Sequence, residues 1–313
     1  MTGLHAGSAL ELRDALPLAI GFASARATTV GVRALPLKGL VANHHRIRPE
    51  RMSADVDMLV EPAGFEQYLD QLAAAGWEQR PGSNLASRLV MHSVSLLHPA
   101  WPCDIDVHPS YPGLLAEPGD VFEVMWGRGQ STPFAHFNVV IPDRDSAILV
   151  QALHSLRTWR ESPRHQAEYE YLVRVVIPQL DRVQRVDVLE LAEQVGAVDT
   201  ARPLLRALDL RLPAPLPSGA DPRLDTWRKR VASGADRTAQ VLLALQRERG
   251  VGRLRLASAV LWPTRFDLEL DGTVPTGSTT MRVLVARFAR LLRGLRLLPR
   301  TLRAISKSPD AAD

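Results

Sequence analysis

The chain has a single cysteine, Cys103, in 313 residues. No intrachain disulfide can form, which suits a reducing compartment, and the expected location is the cytoplasm. Lysine is almost absent too. Lys38, Lys229 and Lys307 are the only three, so arginine supplies nearly all of the 38 basic residues. Aromatic residues are 5% of the chain. That scarcity leaves no stacking platform of the kind that single-stranded nucleic acid requires. No apolar run is long enough to cross a bilayer, and no basic stretch followed by an apolar core marks a signal peptide. No repeat and no cysteine–histidine spacing for zinc is found.

What is present is ordinary in bulk and unusual in detail. The apolar fraction is 46% and the charged fraction 23%, the balance of a soluble globular protein with room for one large or two modest domains. The net charge of +4 is unevenly placed. From Arg282 to Lys307 there are eight basic residues and no acid. Leu284, Phe288, Leu291, Leu295, Leu298, Leu302 and Ile305 recur there at helical spacing, so a terminal helix, kinked near Pro299, is expected to pack on the body through this stripe. Its arginine face points to solvent or to an anionic partner: nucleic acid, acidic peptide or membrane surface.

The most informative stretch is Ser53-Ala54-Asp55-Val56-Asp57-Met58-Leu59-Val60. On a strand, Asp55 and Asp57 project to one face, while Val56, Met58 and Val60 face the core. Two like charges side by side are unfavourable unless a cation lies between them. Hard carboxylate oxygens suit Mg²⁺, which takes one or two protein carboxylates plus substrate phosphates. Alone, such a triplet is more often a solvated pair beside a turn.

Its surroundings strengthen the signal. Upstream, a short apolar strand at Leu35–Leu37 runs into Lys38-Gly39 and the start of a helix, a place where an anion meets a charge and free backbone N–H groups. Arg46, Arg48 and Arg51 precede the acidic strand and are placed to reach a triphosphate. Downstream, Asp104, Asp106 and His108 alternate with Ile105 and Val107, bracketed by Pro102 and Pro109. Either Asp104 or Asp106 is a candidate third acid for a two-metal site. Because two acids repel, neutralising both Asp55 and Asp57 is expected to leave the fold intact. Lys38 is expected to serve a phosphate and not the fold.

Leu37-Lys38-Gly39, Arg51-Met52-Ser53 leading into the acidic strand, and Asp106-Val107-His108 together resemble the uncharacterised bacterial nucleotidyltransferase-like family of the DNA polymerase β superfamily. Gly76-Trp77, Met91-His92, Leu153-His154 and Leu261-Trp262-Pro263 extend the resemblance over most of the chain. Lys38-Gly39 stands where the superfamily usually has Gly-Ser. Ala54 follows the serine, and Pro109 follows His108 where the family tends to have tryptophan. The Asp-h-His pattern points to Asp106 as third acid.

The resemblance implies an α+β fold: a small mixed β-sheet core at 1–141 with a leading helix, then an all-helical domain at 142–313. It implies catalytic and metal-ligating Asp55, Asp57 and Asp106, and nucleotide contacts from Lys38, Gly39, Arg51 and Ser53. Asp104, His108 and His154 are substrate-side candidates, with Arg157, Arg160 and Arg164 near the last. The implied cofactor is Mg²⁺ at a two-ion site, and an NTP is the substrate. The acceptor is open: a ribosomally made peptide (relatives resemble tailoring proteins encoded beside such peptides), a small molecule or a nucleic acid. The alternatives are a peptide-tailoring transferase using another donor such as a nucleotide sugar, a toxin-like tRNA nucleotidyltransferase, and a non-catalytic nucleotide- or peptide-binding protein.

Helices are expected at 8–30, 62–75, 143–159, 166–180, 186–195, 200–210, 225–249 and 254–261. Strands are expected at 35–37, 56–60, 85–97 and 104–108. Residues 113–129 carry no clear pattern, 212–219 reads as a proline-rich linker, and 269–280 as a surface loop.

Overall fold

The structure, a computed structural model, describes residues 10–80, 93–159, 162–233, 241, 244–245, 250–270, 272–275 and 277–306. It is a mixed α+β protein whose chain divides into two compact units. The first comprises Met1–Arg80, His92–Ala152 and Glu168–Arg211; the second comprises Pro81–Met91, Leu153–Ala167 and Leu212–Asp313. Residues on both sides of position 142 belong to the first unit.

In the first unit, α1 (Leu12–Thr29) leads into β1 (Ala34–Leu37), α2 (Gly39–His44) and β2 (Asp55–Val60). Then come α3 (Phe65–Ala74), β3 (Glu78–Gln79), β4 (Val94–Leu97) and β5 (Asp104–His108). The five strands form one mixed sheet in the order β1-β2-β5-β4-β3, with β2 and β5 parallel and the other pairs antiparallel. The two acid-bearing strands are therefore central neighbours. The expected strand at 85–97 is described only as Val94–Leu97; positions 85–92 lie outside the described residues.

The core forms because β2 and β5 alternate. Val56, Met58, Val60, Ile105 and Val107 are buried, as are Leu16 and Ile20 of α1 and Tyr68 and Leu72 of α3. Tyr68 donates its hydroxyl to the Ala23 carbonyl at 3.1 Å, tying α3 to α1. Trp77, just past α3, is buried among Phe22, His98 and Trp101.

The unpatterned region resolves into α4 (Pro118–Gly127) and a hairpin of β6 (Gln130–Phe134) and β7 (Phe137–Ile141). The hairpin packs beside β1 and α1. Its turn is Ala135-His136, both at positive φ, with no glycine or asparagine to announce it. Gly21 of α1 admits this hairpin. A Cβ there would lie 2.3 Å from a ring carbon of Phe137.

Helices follow: α5 (Arg144–Leu156), α6 (Pro163–Tyr171), α7 (Arg182–Gln194) and α8 (Arg202–Arg206). The expected helix at 166–180 is not uniform. It loosens to a π turn at Leu172–Val176 and a 3₁₀ turn at Ile177–Gln179, where Pro178 removes a backbone donor. Asp181 and Gln184 close a capping box on α7. Residues 212–219 carry no helix or strand.

The second unit holds α9 (Pro222–Ser233), α10 (Gly250–Leu261), α11 (Arg265–Leu270) and α12 (Thr280–Ser306). α9 and α11 both pack against α12. No described helix is long and apolar enough to cross a membrane. α12 corrects the expected stripe. Val283 is buried with Leu268 and Val274, and Ala286 packs on them. Phe288 and Leu295, expected to be covered, are exposed, and Leu284 and Leu291 are half-buried. The side chains of Leu298, Leu302 and Ile305 lie outside those described.

Candidate active site

β2 and β5 pair in parallel register, with Asp55 beside Asp104, Asp57 beside Asp106 and Leu59 beside His108. Five polar residues thus share one face of the sheet, opposite the apolar core face. Asp57 is the centre of this group and is only 4% exposed. The Lys38 ammonium lies 2.6 Å from its Oδ1, and His108 Nε2 meets the same oxygen at 2.9 Å. Burial pushes the Asp57 carboxyl up. The Lys38 charge and the His108 hydrogen bond outweigh burial and hold it well below the usual carboxylate range. An ionised carboxylate is thereby kept in the core, and the counter-charge that the acidic strand demands comes from the chain itself.

Asp55, at the start of β2, is half-buried. Burial first, then the Asp57 charge, raise its carboxyl above the ordinary value, with Asp106 adding to the rise and Lys38 opposing it. Donor atoms of Asp57, Asp106 and His108 lie within 4.8 Å of one another, a spacing that fits one metal ion; Asp55 stands outside that trio. Asp104 is turned to an ion pair with Arg80. The oxygen donors on this face suit Mg²⁺, and His108, bonded to Asp57, is placed to orient that carboxylate.

The turn before α2 carries strain. Lys38 has φ 51° and ψ −147°, at the edge of a region that glycine normally occupies, and Gly39 follows at φ 44°. Strain of this kind costs about 1–3 kcal/mol and persists only where neighbours over-determine it. Here Arg48 does so. It is 3% exposed and donates Nη2 to the Gly39 carbonyl at 3.0 Å and the Arg51 carbonyl at 3.1 Å. Its Nε donates to Asn43 Oδ1 at 2.9 Å, and Nη2 also reaches Ser53 Oγ at 3.4 Å. Asn43 Nδ2 in turn donates to the Arg51 carbonyl at 3.0 Å. The turn holding Lys38 is thus clamped to the entry of β2. A Cβ on Gly39 would sit 3.3 Å from Ser53 Oγ.

Arg51 reaches Glu168 at 2.7 Å, and Glu168 also accepts from Gln151 Nε2 at 3.0 Å. Asn43, Gln151 and Glu168 carried no signal in the sequence, since nothing near them announced a buried polar network. Arg48 was visible only as one of three loop arginines, because its spacing cannot distinguish a buried brace from a phosphate contact. His154 lies on α5 within the segment assigned to the second unit, its ring 4.5 Å from that of His165.

For Asp57 and Lys38, these contacts run against the expectation that they are dispensable for folding. Asp57 and Lys38 are both largely buried, so removing either strands the other without its main counter-charge.

No protein-family model matches the chain, and no curated protein matches it. Among solved structures it is similar to an antigenic nucleotidyltransferase-like protein from Paracoccidioides brasiliensis, at 12% identity and a TM-score of 0.38, over 62% of this chain and 93% of that one.

Proposed function

We propose that the chain is a Mg²⁺-dependent nucleotidyltransferase that moves a nucleotidyl group from an NTP to a hydroxyl or phosphate acceptor, the acceptor oxygen bonding to the α-phosphorus as pyrophosphate leaves. Asp57 and Asp106, side by side on β2 and β5 with the Lys38 ammonium against Asp57, are the observation that supports this most. Asp55, Asp57 and Asp106 would hold the metal. When bound, it neutralises phosphate charge and acidifies the attacking hydroxyl. Asp106 is assigned the proton of that hydroxyl. Lys38 is assigned the triphosphate, moving its charge from Asp57 to phosphate oxygens as the substrate arrives, with backbone N–H groups after Gly39 assisting. The six-residue α2 supplies little dipole, so the ammonium is the main contact.

Arg51 and Ser53 are assigned to the nucleotide side, where their present contacts shape the Lys38 turn. Asp104, His108 and His154 remain substrate-side candidates, with His108 orienting Asp57. Catalysis is assigned to residues 1–141, and choice of base and acceptor to 142–313. A ribosomally made peptide is the acceptor favoured by the sequence resemblance; a tRNA acceptor is a variant of the same chemistry, whereas a nucleotide-sugar donor would make the reaction a sugar transfer with the nucleotide as leaving group.

A second reading, nucleotide binding without turnover, is favoured by one feature: Lys38 and His108 both bond the same oxygen of Asp57, so the chain itself supplies that carboxylate's counter-charge. Incubation with each labelled NTP and Mg²⁺, followed by mass analysis of candidate acceptors, separates the two. Turnover that falls strongly in Asp106→Asn and little in Asp104→Asn supports the transferase. Binding of an NTP with no product on any acceptor supports the second reading.

A further inference from the structure

The second unit carries an exposed apolar face that its own packing does not use. α12 docks through Val283 and Ala286. On the opposite side, Met281, Val285, Phe288, Leu292 and Leu295 are each more than half exposed. Their spacing places them on one stripe of the helix. The stripe continues just past the end of α10, where the Trp262 ring, half exposed, meets Phe288 edge-on at 6.3 Å. Arg287 stacks 4.8 Å over the same tryptophan. Arg282, Arg293 and Arg296 are exposed along the flank of the stripe.

We propose that this face of α12, with Trp262, binds an anionic membrane surface, with the helix lying in the plane of the lipid headgroups. The helix is 27 residues, about 40 Å, and amphipathic. An apolar stripe edged by arginines, with a tryptophan at its border, matches the layering of an acyl boundary beneath phosphate headgroups. No acid interrupts the eight basic residues of this sequence segment, and the exposed Arg282, Arg293 and Arg296 complement an anionic leaflet. The other occupants fit less well. Nucleic acid seeks cations or successive aromatic rings at the centre of its footprint, whereas the centre here is mainly aliphatic. A second copy docked by the same face would bring one arginine edge against the other.

The test uses the full chain and vesicle flotation, with vesicles of phosphatidylcholine alone or mixed with phosphatidylglycerol. The chain should float with the anionic vesicles, less so as salt rises, and not with neutral ones. Phe288→Ser with Leu292→Ser should weaken binding at least about tenfold, since the buried apolar area sets the affinity. Arg293→Glu with Arg296→Glu should do the same through charge. All four residues are exposed, so the melting transition should be unchanged in both variants. Absence of flotation, or flotation that neither variant alters, would overturn the proposal. So would oligonucleotide binding that anionic vesicles fail to displace, or a lipid-independent dimer that the Phe288/Leu292 variant abolishes.

Discussion

Lys38 sits in a backbone conformation that lysine rarely adopts, and its ammonium neutralises a carboxylate in the core. Removing one partner of a buried pair leaves an uncompensated charge, at about 3–5 kcal/mol. Lys38→Met should therefore lower apo stability by about that amount, and Asp57→Asn by a similar amount. The double variant should lose clearly less than the sum, because no lone charge remains. Urea unfolding of the four proteins measures this coupling; strict additivity would mean that the 2.6 Å contact carries no energy. The pH dependence has a fixed sign. The folded-state carboxyl of Asp57 lies below its ordinary value of 3.8. Its stabilisation is complete above 3.8 and is lost as pH falls below it. The wild type should lose melting temperature more steeply than Asp57→Asn below that pH. Parallel curves would contradict the assignment.

At the scale of elements, two braces position the site. Arg48 joins α2 to the entry of β2 through a planar fork of donors. Lysine cannot reproduce that fork, and hydrogen bonds to a charged group are worth about 1.5–3 kcal/mol each. Arg48→Lys should cost about 2 kcal/mol or more in urea unfolding and loosen the Lys38 turn. An unchanged transition midpoint would remove Arg48 from this role. The hairpin is held differently. Gly21→Ala drives a methyl into Phe137, and overpacking of this kind costs about 1–3 kcal/mol. Adding Phe137→Ala should recover part of that loss, measured by the same transition.

The two acidic strands were legible because alternation of aspartate with Val, Met and Ile is a strand signal that burial enforces. The β6–β7 hairpin was not, because Ala135-His136 is a turn without turn residues. The helix expected at 166–180 has continuous periodicity, but Pro178 lacks a backbone donor and the chain loosens over 172–179. The brace around Arg48 was hidden for another reason. Burial of a charged side chain is set by tertiary packing, and a loop rich in His, Arg, Pro and Glu gives no local sign of it.

At the scale of the whole molecule, the chain keeps its acids on the central strands of one unit and most of its C-terminal basic charge on a helix of the other. Nucleotidyl transfer by this chain requires that the acidic face bind a nucleotide through a metal. Asp106 is the residue to change, because it is only partly buried and the buried ion pair with Lys38 is made by Asp57. The direct measurement is calorimetric titration of the chain and of Asp106→Asn with each of the four ribonucleoside triphosphates, with and without Mg²⁺. At least one triphosphate should bind the wild type only when Mg²⁺ is present, and Asp106→Asn should lose that binding while keeping its melting temperature. Binding that needs no metal, or that survives in Asp106→Asn, would contradict the account.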